Sequence, residues 1–213
     1  MPNKIILYHG SREILEKPKF GKGNKNNDYG LGFYTTPSKD LAAEWAVPSE
    51  GVNGYVNAYS IDLTNLSILD MDNEPMEHWM SIHVRNRLGS YVNIVEENQQ
   101  EWLEKFPFNI SGYDIIKGWR ADDSYFSFVR DFFLGGLSLQ KLKEAMKLGG
   151  LGIQYAVMTP KAFESLKFIS PAEEIKSEIY YPKRISRDNK ARKDYKDMKD
   201  KRQGSSIYQI LED

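Results

Sequence analysis

Three short runs in this chain place polar or aromatic side chains beside glycine: Leu7-Tyr8-His9-Gly10-Ser11, Gly30-Leu31-Gly32-Phe33-Tyr34, and Gly152-Ile153-Gln154-Tyr155. Glycine lets a ligand approach the backbone closely, and aromatic rings offer stacking faces. An imidazole, a phenol and a carboxamide add hydrogen-bonding groups. Together they suit a flat heteroaromatic ligand carrying a ribose. Other chemistries are excluded by what is missing. No Walker loop or nucleophile elbow occurs, and Gly30 and Gly32 lack the strand-then-helix setting of a dinucleotide fingerprint. The chain has no Cys and only three His, which argues against disulfides and thiolate or histidine metal sites.

The elements that position these residues can be read from pattern. Lys4 to His9 is a short apolar, β-branched strand that delivers His9 to its end, closed by Gly10-Ser11. Residues 17–29 are rich in Gly, Asn, Lys and Pro and form an exposed loop, from which a strand carrying Phe33-Tyr34-Thr35-Thr36 emerges. Ser38 and Asp40 lead into a helix over 41–46 that bears Trp45 and is stopped by Pro48. Strands are expected over 55–63, 67–71, 113–117 and 152–159. Helices are expected over 77–88, 91–106, 124–133, 138–148 and 160–166, and the stretch 168–181 is expected to be extended around Pro171. This order, mixing local and distant strands, indicates an α+β fold. Asp122 and Asp123 follow the strand at 113–117 and the run Gly118-Trp119-Arg120-Ala121. They are either catalytic carboxylates on a loop or caps for the next helix, where Asp meets the helix dipole favourably.

The chain has 213 residues, 40% apolar and 28% charged, enough for one folded domain with a tail. No apolar run reaches the roughly 20 residues of a membrane span, and the N-terminus does not read as a signal peptide. A cytoplasmic location without membrane contact is the expectation. The net charge of −1 is unevenly spread: Lys183 to Arg202 holds ten Lys/Arg against four Asp, a local +6, so the remainder carries −7. Residues 1–182 therefore read as the functional domain and 183–213 as a basic C-terminal segment, helical or mobile. Contact of that segment with nucleic acid is the alternative. The apolar cluster Ile207-Tyr208-Gln209-Ile210-Leu211 suggests that the terminus docks onto something.

Taken in order, the three patches resemble the NAD-binding signature of ADP-ribosyltransferases of the diphtheria toxin and poly(ADP-ribose) polymerase type. His9-Gly10-Ser11 matches the first-strand motif, Gly30-Leu31-Gly32-Phe33-Tyr34 the Gly-x-Gly-x-Tyr motif, and Ser38-Lys39 with Trp45 the following helix. Gln154-Tyr155 stands where the polymerases carry Glu-Tyr. The sequence is also similar to a bacterial branch of that superfamily in which the YHGS, GFYTT, RADD and QY patches recur together, often beside small companion proteins. The resemblance spans roughly residues 4–170. It implies a split antiparallel β-sandwich core with peripheral helices, and NAD+ as co-substrate without a metal. It further implies a macromolecular acceptor of ADP-ribose, protein or nucleic acid, and a toxin neutralised by a small antitoxin protein.

The resemblance also assigns roles. His9 would bond a ribose hydroxyl, Gly10 would meet the nicotinamide amide through its backbone, and Tyr34 and Trp45 would sandwich the nicotinamide ring. Ser11 would steady the turn or a ribose hydroxyl, and Arg12 is a candidate for the pyrophosphate, since guanidinium suits bidentate contacts. Gln154 departs from the pattern: it can accept a hydrogen bond but cannot ionise. Transfer of a single ADP-ribose unit is therefore expected, with Asp122 or Asp123 as compensating acids. NAD+ hydrolysis and an inactive NAD- or ADP-ribose-binding module are the alternatives.

Overall fold

The structure, a computed structural model, describes residues 3–87, 93–120, 123–150 and 152–212. The apolar N-terminal run forms β1 (Lys4–Ser11), which pairs antiparallel with β3 (Gly54–Asp62), itself paired antiparallel with β7 (Leu166–Ile175). A second sheet is ordered β2 (Phe33–Thr35), β6 (Ile153–Val157), β5 (Ile115–Trp119), β4 (Ile68–Asp70). It is antiparallel except for the parallel β4–β5 pair. The fold is α+β.

The sheets share one apolar layer. Leu7 and Ile61 of the first sheet meet Ile115 and Val157 of the second, all essentially without solvent contact. Tyr8 and Thr36, the residue after β2, exchange two backbone hydrogen bonds of 2.8 and 2.9 Å, which ties the edges of the two sheets together. Period-two alternation then matters: His9 lies two residues beyond Leu7, on the same face of β1.

Helix α1 (Lys39–Ala46) covers the outer face of the first sheet through Ala42, Ala43 and Ala46. Its N-terminus is capped by Ser38, whose Oγ accepts the Leu41 N–H at 3.3 Å. The helix can lie this close because residue 10 has no side chain. A Cβ on Gly10 would meet the Ala42 carbonyl oxygen at 1.9 Å and the Ala46 nitrogen at 2.6 Å.

The outer face of the second sheet, through Ile116 and Ala156, packs on the larger core. That core is built by α2 (Met76–Arg87), α3 (Asn93–Lys105), α4 (Asp123–Phe133) and α5 (Leu139–Ala145). Trp79, Trp102, Phe128, Phe132 and Phe133 fill it. The short α6 (Pro160–Ser165) starts with Pro and is capped by the Thr159 hydroxyl.

The C-terminal segment is helical and docked. Helix α7 (Ser177–Asp197) begins six residues before the basic run and carries Pro182 inside it, so the stretch expected to be extended to residue 181 turns helical at Ser177. Its contacts explain why. Arg187 forms a two-pronged ion pair with buried Glu44 (2.9 and 2.8 Å) and donates to the carbonyls of Gly149 and Gly150. Further along, Tyr195 stacks on Phe128 with ring centroids 3.9 Å apart and donates to Asp131 at 2.7 Å. Ile207 of α8 (Ile207–Glu212) is fully buried. Among the described residues no helix is long and apolar enough to cross a membrane.

Candidate functional site

A cavity of about 750 Å³ is lined by residues of β1, β2, β6 and α1. His9, Tyr34, Trp45 and Gln154 all line it. Residues separated by as many as 145 positions thus converge on one space.

His9 is fixed by its Nδ1, 2.7 Å from the Tyr34 carbonyl oxygen. A carbonyl can only accept, so Nδ1 carries the proton and Nε2 is the acceptor of the neutral ring. Burial lowers the His9 pKa below its usual value, against the opposing pull of that backbone bond, so the ring is neutral at pH 7. Phe33 packs on the imidazole with centroids 4.4 Å apart.

Tyr34 is latched to the glycine turn before it. Its hydroxyl donates to the Gly30 carbonyl at 2.7 Å and accepts the Tyr29 N–H at 2.9 Å. Tyr29 is itself buried, and its hydroxyl donates to the Trp119 carbonyl at 2.9 Å while accepting from Trp79 Nε1 at 3.3 Å. Burial first, and the neighbouring charge of Asp28 second, push the Tyr29 phenol well above its ordinary pKa, so it stays neutral. Gly118, the partner of Gln154 across β5–β6, makes room for this hydroxyl: a Cβ there would lie 2.2 Å from it.

Gln154 is almost fully buried. Its Nε2 donates to Asp28 Oδ2 at 2.8 Å and to the Trp119 carbonyl at 3.2 Å. Both partners can only accept, which fixes the amide orientation: the NH2 faces inward and Oε1 is the group left to accept.

Trp45 carries the Arg120 guanidinium over one ring face, 4.4 Å from the centroid. Its indole Nε1 is buried, with no hydrogen-bond partner among the described residues. Among the described residues five cationic side chains line the cavity, Lys17, Lys19, Lys22, Arg120 and Arg184, against one carboxylate, Asp28. Such a lining favours an anionic ligand, because low-dielectric walls strengthen each interaction.

The remaining sequence candidates lie elsewhere. Gly10 faces α1, as described above. Ser11 Oγ donates to the Glu13 carbonyl at 2.6 Å and accepts from buried Asn57 at 3.0 Å. Asn57 also accepts the Leu15 N–H at 2.8 Å, and Tyr59 donates to the Leu15 carbonyl. Ser11 thus belongs to the bracket that holds the cavity-lining segment from Leu15 onward. Arg12 is exposed, donates to Ser49 Oγ at 3.1 Å, and does not line the cavity. Asp122 lies outside the described residues, and Asp123 is the first residue of α4.

Asp28, Arg184 and the loop lysines were not singled out by spacing. One signal was present: Asp28 is the only acid among four lysines in residues 17–29. Arg184 left none, since only the docking of α7 brings it to the cavity.

A family model described as "Protein of unknown function (DUF3990)" matches residues 5–168. The chain belongs to this family. The match runs from β1 into β7 and includes His9, Asp28, Tyr34, Trp45, Arg120 and Gln154, but it stops before α7 and its Arg184 and Arg187. No curated protein and no solved structure matches the chain.

Proposed function

We propose that the cavity binds NAD+ and that this DUF3990 protein is a mono-ADP-ribosyltransferase. The observation that carries the reading is the convergence of His9, Tyr34 and Gln154, one residue from each of the three patches, on one cavity. In this reading the two sheets are the split β-sandwich of that superfamily. The chemistry of each group fits. Neutral His9 offers an acceptor nitrogen to a ribose hydroxyl, and Gln154 Oε1 offers a second acceptor nearby. Tyr34 supplies a ring face for nicotinamide, held in place by its hydroxyl. Arg120, Arg184 and the loop lysines suit the two pyrophosphate charges.

The bond that breaks joins nicotinamide nitrogen to C1′ of the ribose. Its electron pair leaves with nicotinamide, which becomes neutral, and C1′ takes on oxocarbenium character. A nucleophilic atom of the acceptor then bonds C1′ and releases its proton to solvent. The residues contribute mainly by orientation and by excluding water. The acceptor is a macromolecule, and growth inhibition relieved by a small partner protein is the role that accompanies this reading.

Incubation with adenine-labelled NAD+ and cell lysate tests it. Label retained on macromolecules, and lost with His9→Ala, is the expected result. Label recovered only as free ADP-ribose would make the protein a glycohydrolase. NAD+ bound but never cleaved would make it the binding module that a Gln at position 154 also allows.

A further inference from the structure

The carboxylate that the resemblance leads one to look for at position 154 is absent, yet a buried carboxylate lies one hydrogen bond away. Asp28 comes from the loop before β2, is 5% exposed, and shares the cavity wall with Gln154, His9 and Tyr34. Its Oδ2 accepts the Gln154 amide at 2.8 Å. Its Oδ1 lies 4.0 Å from Nδ1 of His83, a ring stacked on Trp79. The Asp28 carbonyl accepts from Asn86 at 3.1 Å, which pins the backbone as well. Sequence spacing hides this pairing because 126 residues separate the partners.

A buried carboxylate is costly to desolvate and needs compensating contacts. Here one of those contacts is the residue that the reaction would use. The anion holds the amide NH2 and so aims Oε1 away from itself, which a neutral partner would do less firmly. Among the described residues Asp28 is also the single negative charge on a cavity wall with five cations. Low-dielectric surroundings strengthen its attraction for positive charge developing at a ribose carbon.

We propose that Asp28 and Gln154 together perform the task of a single catalytic glutamate, with Gln154 supplying the acceptor oxygen and Asp28, as positioning residue, supplying orientation and charge. This rests on the reading of the cavity as an NAD+ site. The division of labour makes a sharp expectation: the charge is interchangeable between the two positions, but its total is not.

The test uses the full-length protein, NAD+, and nicotinamide release in the presence of lysate. Asp28→Asn keeps the size of the side chain and removes its charge; release should fall at least 30-fold, on the order of what loss of one electrostatic contact costs, with KM changed far less. Gln154→Glu places two carboxylates in hydrogen-bond contact, which must share a proton, so its pH profile should shift to higher pH. The exchanged pair Asp28→Asn with Gln154→Glu restores one charge, and release should recover at least about tenfold over Asp28→Asn. Should Asp28→Asn fail to fold, the exchanged pair is compared directly with wild type, and turnover within about tenfold supports the proposal. Asp28→Asn with wild-type turnover, or a folded exchanged pair no better than the single variant, overturns it while leaving the NAD+ reading intact if His9→Ala is inactive. A wild-type protein that neither binds NAD+ nor releases nicotinamide overturns both.

Discussion

The Tyr34 hydroxyl offers a quantitative test of how the site is held. Tyr34→Phe retains the ring that faces the cavity and deletes one oxygen. That oxygen satisfies the Tyr29 N–H at 2.9 Å and donates to the Gly30 carbonyl at 2.7 Å, both in buried residues. Leaving a buried donor or acceptor unpaired costs about 1–3 kcal/mol, and the carbonyl, with a second lone pair, sits at the low end. The two losses together should destabilise the fold by roughly 2–4 kcal/mol. For a chain of this length each kcal/mol corresponds to about 2–4 °C, so Tm should drop by roughly 5–15 °C. NAD+ affinity should fall as well, because the Tyr34 ring on the cavity wall loses its anchor. Thermal unfolding and calorimetric titration with NAD+ measure both. A Tm within about 2 °C of wild type would refute the claim that this hydroxyl latches the turn.

Other perturbations separate structure from chemistry. Gly10→Ala should destabilise at the upper end of the roughly 1–3 kcal/mol typical of overpacking, because the added methyl group meets the α1 backbone; urea denaturation checks it. Arg187→Ala removes the partner of buried Glu44 and should cost about 3–5 kcal/mol in unfolding free energy, while Arg12→Ala should change stability by less than about 0.5 kcal/mol. For pH, His9 has its folded-state pKa lowered by burial, so the unfolded chain binds the proton more readily. The contribution of the neutral ring is therefore fully present above about pH 6.5 and lost as pH falls through the lowered value. The acid limb of NAD+ affinity should accordingly have its midpoint below 6.5; a midpoint above it would contradict the neutral-acceptor role.

Much of the scaffold was legible because local signals agreed. The apolar run at Lys4–His9, the Ser38 cap and the β-favouring residues around Tyr34 each pointed to the element that formed. The common cavity of His9, Tyr34, Trp45 and Gln154 depends on long-range register, which no local pattern encodes. Three features were hidden for distinct physical reasons. Gly10 reads as a ligand contact from its motif, although its missing Cβ is what admits α1. Asp28 lies in a loop whose polar composition masks a buried carboxylate. Helix α7 has neither apolar periodicity nor a side-chain cap, and Pro182 argues against it; its order comes from Arg187, Ala191 and Tyr195 meeting the body. The same docking brings Arg184 to the cavity.

The most direct measurement is release of nicotinamide from NAD+ by the purified full-length protein with lysate present, followed for wild type, His9→Ala and Tyr34→Ala side by side. Release by wild type that both substitutions abolish is the predicted result. No release by wild type, or release that persists when the imidazole and the phenol are both removed, would contradict the assignment of this cavity.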